Sequence, residues 1–104
     1  MGIKITRFNH VTIAAPRDQK DKMVWFYEKV LGLPKLPPPT NLTASYDVYW
    51  YKLADKILHV DVSPPFIKVP HNRHFCIEVE NLNEARDHFH SFDIEISIVI
   101  EGIG

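Results

Sequence analysis

The stretch Arg7-Phe8-Asn9-His10-Val11-Thr12-Ile13-Ala14-Ala15 decides the fold, because a near copy of it returns as Arg73-His74-Phe75-Cys76-Ile77-Glu78-Val79. Both runs alternate. Successive side chains of a strand point to opposite faces, so Val11 and Ile13 share one face of the first run, and Phe75, Ile77 and Val79 share one face of the second. The opposite face opens with a histidine each time, carrying His10 and Thr12 in one copy and His74, Cys76 and Glu78 in the other. In each copy a turn-like break and a helical pattern follow. Such self-similarity marks two copies of one supersecondary unit, and the chain reads as a duplicated half-domain.

Outward from the first run, Pro16-Arg17-Asp18 breaks the extended pattern, and Asp18 is the expected N-cap of a helix that ends near Leu31, with Gly32 as its stop. Met23, Phe26, Tyr27 and Val30 recur three and four apart and give that helix an apolar face, with Lys20, Lys22 and Glu28 nearer the outside. The segment Pro34-Lys35-Leu36-Pro37-Pro38-Pro39 fits neither a helix interior nor a central strand, since each proline removes an N–H. It reads as a stiff loop or edge connection rather than a ligand for an SH3-type partner. Ser45 to Lys52 and Ile57 to Val62, joined at Ala54-Asp55-Lys56, form a predicted hairpin. In its second strand Leu58, Val60 and Val62 face one way and Ile57, His59 and Asp61 the other. The second copy adds a helix from about Leu82 to Phe92, with Leu82, Ala85, Phe89 and Phe92 apolar, and a strand from Ile94 to Ile100.

The expected organisation is one domain spanning residues 1–104, with a first module at about 5–63, a linker at 64–72 and a second module at 73–104. Helices cover one sheet face. The other face is left free and carries the histidines.

Composition narrows the function classes. At 104 residues with 45% hydrophobic and 24% charged residues the chain suits a single globular domain. A formal net charge of −1, with Lys and Arg scattered, argues against nucleic acid as a partner. The single cysteine, Cys76, excludes an intrachain disulfide, and no apolar run is long enough to cross a bilayer. With an N-terminal stretch that opens straight into a strand, the expected location is cytoplasmic. The sequon Asn41-Leu42-Thr43 matters only in a secreted chain and is read as accidental.

Neutral imidazole is the commonest metal ligand. His10, His59 and His74 all stand on the strand face opposite an apolar row, and the repeat relation between His10 and His74 favours a shared centre over three ordinary strand histidines. His71 lies in the linker, and His88 and His90 stand two apart on a helix, so these three rank lower. Cys76 shares the face of His74 and is expected to line a ligand at most. No nucleophile motif or phosphate-binding glycine loop is present.

Four segments then carry a family likeness: Asn9-His10-Val11-Thr12-Ile13, Trp25-Phe26-Tyr27-Glu28-Lys29-Val30-Leu31-Gly32-Leu33, Ile57-Leu58-His59-Val60 and His74-Phe75-Cys76-Ile77-Glu78-Val79. Together they make the chain resemble the glyoxalase, bleomycin-resistance protein and extradiol dioxygenase superfamily, also called vicinal oxygen chelate proteins. The resemblance implies an α+β fold of paired βαβββ modules whose sheet forms a cup around a divalent metal such as Zn, Fe, Mn or Ni. Family ligands fall on the first strand of each module, matching His10 and His74, and on the last strand of the first, matching His59. The family's second module continues into two more strands, with an Asp-Pro-x-Gly-Asn turn and a glutamate ligand. Here the second module is expected to be truncated before them, since the sequence stops at Gly104.

The implied function is that of a metal-dependent enzyme acting on a small substrate with adjacent oxygens, whether as lyase, isomerase, thiol transferase or dioxygenase. Thr12, Tyr49, Trp50 and Cys76 are expected to line the substrate. The alternative is a metal-free module that sequesters a small aromatic molecule, with Tyr46, Tyr49, Trp50 and Tyr51 as stacking surface. Exposed sheet edges and family habit point to a homodimer, with exchange of modules as one way to assemble it.

Overall fold

The computed structural model describes residues 2–67 and 74–96. The chain divides into two compact units, Met1–Val69 and Pro70–Gly104. In the first unit a four-stranded mixed sheet is built from β1 (His10–Ala14), β2 (Lys35–Leu36), β3 (Val48–Leu53) and β4 (Lys56–Asp61) in the order β1-β4-β3-β2. β4 therefore lies between its hairpin partner β3 and the parallel strand β1. Parallel pairing needs a long crossover, which the helical segment and β2 supply.

Periodicity in β4 sets the layers. Leu58, Val60 and Val62 are at most 1% exposed, as is Tyr51 on β3, and the register sets Tyr51 opposite Leu58 and Tyr49 opposite Val60. Burying each of the aliphatic side chains is worth roughly 1.5–3 kcal/mol. The helical segment covers this side through Met23 and Val30, both buried, and through Tyr27, whose ring stacks on Tyr51 at 5.9 Å. Glu28, expected to point outward, instead accepts a hydrogen bond from the Tyr51 hydroxyl at 2.7 Å. A buried phenol needs an acceptor, and that requirement draws the carboxylate in.

The helical segment is not one uniform helix. A 3₁₀ turn (Arg17–Gln19) leads into α1 (Lys20–Val24), which widens into a π turn (Trp25–Val30). Asp18 is not the N-cap. Pro16 holds that position, its carbonyl taking the Gln19 amide at 3.0 Å, so no side-chain cap forms. Gly32 closes the segment as expected, at φ +65°, a left-handed value that suits glycine.

The proline-rich segment gives β2, whose Lys35 and Leu36 pair with Tyr51 and Trp50 at the sheet edge. Pro39 then opens a single helical turn, α2 (Thr40–Thr43). Asp47 anchors the start of β3, taking Arg17 at 3.1 Å and Lys20 at 3.4 Å.

In the second unit α3 (Leu82–Ser91) is capped by Asn81, whose side chain accepts the Glu84 amide at 3.0 Å. Residues 74–79, expected as a strand, form none among the described residues. A strand exists only through its ladder partner, and the next strand expected in that unit, 94–100, lies mostly outside the described residues, as does His71.

Candidate functional site

Three ring side chains cross the open face of the first unit. The register places Trp50 opposite His59 and Thr12 beside His59, and it pairs His10 with Ile57. Alternation turns all of them away from the Leu58 and Val60 side. His59 stacks on Trp50 at 4.0 Å with 5° between planes, and on His10 at 4.2 Å with 14° between planes. The parallel pairing of β1 with β4 is thus what brings together two histidines distant in sequence.

His10 Nδ1 lies 2.9 Å from Asn9 Oδ1; an amide oxygen only accepts, so Nδ1 is the donor of that bond and Nε2 is the nitrogen left to face a ligand. Burial, together with the nearby His10 ring, pulls the His59 pKa below its ordinary 6.5 and holds that imidazole neutral. His59 Nε2 and Trp50 Nε1 are shielded from water and have no hydrogen-bond partner among the described residues. Leaving such a group unsatisfied costs about 1–3 kcal/mol, so both atoms call for a partner from outside the described residues.

Beside the rings lies a cavity of about 210 Å³ bounded by Thr12, Leu42, Tyr46, Trp50, His59 and Asp61. The one-turn helix α2 contributes Leu42, and the loop after it contributes Tyr46. Next to the lining residue Asp61, the Val62 amide bonds the Asp47 carbonyl at 3.0 Å, and the Asp61 carboxylate accepts the Ser63 amide at 2.8 Å.

Of the residues expected to line a substrate, Thr12 and Trp50 border this cavity. Tyr49 lies on the opposite sheet face, with Lys20 and Lys35 at 5.4 and 5.5 Å from its ring. Tyr51 is core, so the four aromatics do not form one stacking surface. Cys76 and His74 belong to the second unit, where both are exposed. Leu42 and Asp61 were not among the expected lining residues, and Tyr46 was expected only as stacking surface in the metal-free alternative. A one-turn helix leaves almost no periodic trace, although Pro39 ahead of Thr40 is a helix-start signal.

Among the described residues no group of three or more His, Cys, Asp or Glu is assembled as a metal centre. The donor chemistry of His10 and His59 suits a divalent ion, with the His59 ring held neutral and His10 Nδ1 engaged by Asn9. Their near-parallel planes run the in-plane lone pairs side by side, so one ring must turn before both meet one ion. No helix among the described residues is long and apolar enough to span a membrane.

No protein-family model matches the chain, and no curated protein matches it. Two crystal structures are similar. A protein from Bacillus anthracis described as a glyoxalase family member shares 24% identity over 91% of this chain and 76% of its own, with a TM-score of 0.79. SMU.1112c shares 19% identity over 93% of this chain and 82% of its own, with a TM-score of 0.68. With strands and helices in this order and these likenesses over nine-tenths of its length, the chain has the α+β glyoxalase-like fold.

Proposed function

We propose that the open face of the first unit is a small-molecule site and that the protein is a metal-dependent enzyme of the vicinal oxygen chelate type. The observation that carries this reading is the juxtaposition of His10 and His59, with Asn9 engaging Nδ1 of one ring and burial keeping the other ring neutral. His10 and His59 are the proposed ligands from the first unit, and His74 is the proposed third. When bound, a divalent ion such as Zn, Fe, Mn or Ni would act as Lewis acid on two adjacent oxygens of the substrate. The chain's own contribution is positional. Trp50 Nε1 can only donate a hydrogen bond and so selects an acceptor atom on the substrate, while Leu42 and Tyr46 exclude water from one side of it.

One observation favours a second reading. Trp50, His59 and His10 form a face-to-face stack at 4.0 and 4.2 Å, which a planar molecule held by a metal-free module would extend at the exposed His10 end.

Metal analysis of the purified chain separates the two. The first reading expects about one divalent ion per site, lost in His10→Ala and in His59→Ala and reduced in His74→Ala. Metal-free protein that takes up no ion, yet changes Trp50 fluorescence with planar ligands in a Trp25→Phe background, overturns the first reading and supports the second.

A further inference from the structure

The ring row has a second cavity along its other flank, of about 260 Å³, bounded by Arg7, Asn9, Leu36, Lys52, Asp55 and Lys56. The register explains the convergence. Lys52 lies opposite Ile57, Leu36 opposite Trp50, and Ile57 beside His10, so this cavity opens on the same sheet face as the histidines. Three separate segments supply its cations: the run before β1, the end of β3 and the start of β4. Lys56 is held by Asp55 at 2.6 Å. The Arg7 charge also acts on Asp55, without an ion pair within 4 Å, and Lys52 forms no ion pair among the described residues.

Three cations against one carboxylate leave a positive site in a chain whose net charge is −1. Charges that converge on a concavity reinforce one another there more than on a convex surface. A guanidinium offers a planar fork that matches two oxygens of a carboxylate or phosphate, and an ammonium adds a point charge. Asn9 Oδ1 accepts from His10 Nδ1, which leaves the Asn9 amide NH₂ as a further donor. The volume exceeds that of a single water, about 30 Å³ in the liquid, several times over.

We propose that this cavity binds a compact oxyanion, the carboxylate or phosphate group of a small molecule. The site stands on its own residues and needs neither a metal nor the histidines as ligands. A molecule seated over the ring row has the cavity within reach of its anionic end.

The test follows backbone amide shifts of the full chain in separate titrations with inorganic phosphate and with acetate at constant ionic strength. Saturable shifts centred on Asn9 and Ile57 are expected for at least one anion, phosphate reporting the ester chemistry and acetate the carboxylate chemistry. The paired substitution Arg7→Gln and Lys52→Gln should weaken binding by about tenfold, and Asp55→Asn should tighten it by about threefold. Opposite signs from neighbouring substitutions are not expected of a merely structural effect. Shifts that never saturate, that appear equally around Lys22 and Lys29, or that are indifferent to all three substitutions would overturn the proposal.

Discussion

His59 concentrates the chemistry of the open face, and its protonation has a sign that can be measured. Burial and the His10 ring make it bind a proton less readily in the folded chain than in the unfolded one. As the pH falls through and below 6.5, the unfolded state takes up more protons and the folded state loses stability. Thermal midpoints are therefore expected to fall between pH 7 and pH 5, with His59→Gln flattening the dependence; an equal slope in that variant would show the titration to lie elsewhere. Much of this was legible in the sequence, since alternation alone puts His10 and His59 opposite their apolar neighbours. The stack with Trp50 was not, because the cross-strand register that sets Trp50 against His59 leaves no trace in either strand's own pattern. Arg7, Lys52 and Lys56 escaped for the same reason, being gathered from three segments only by folding.

The β3–β4 hairpin shows which elements a sequence can announce. Its strands alternate cleanly and its turn is short, so both were expected within a few residues. β2 was not expected as a strand, being two residues between prolines whose pairing is set by the partner strand. Nor does the widening of α1 into a π turn have a residue signature; there the Leu31 amide reaches the Phe26 carbonyl at 2.9 Å. Two substitutions test the packing. Tyr51→Phe removes the bond to Glu28 and leaves a half-buried carboxylate unanswered, which should cost about 1–2 kcal/mol in urea unfolding. Ala54 turns the hairpin at φ +54°, a left-handed conformation that penalises a Cβ, so Ala54→Gly should stabilise by about 1 kcal/mol. A destabilising Ala54→Gly would mean that the lost backbone entropy outweighs the relieved strain.

The glyoxalase-like fold rests on the order of strands and helices and on the two structural likenesses, and the proposed assembly rests on what the first unit leaves open. β1 is an edge of the sheet in the first unit, and Ile3, Ile5 and Phe8 ahead of it are 86, 78 and 59% exposed. Edge strands and exposed apolar residues recruit a second chain, and exchange of modules in a homodimer would offer His74 of one protomer to His10 and His59 of the other. Sedimentation equilibrium should give twice the 12.1 kDa chain mass; a monomer at every accessible concentration contradicts this. The central proposal, that His10 and His59 share one ion, is tested most directly by imidazole ¹⁵N NMR of the full chain during titration with Zn²⁺. The expected result is that Nε2 of both rings shifts together at one equivalent while Nδ1 of His10 stays protonated against Asn9. Zinc that moves neither ring, or that moves only His88 and His90, would contradict it.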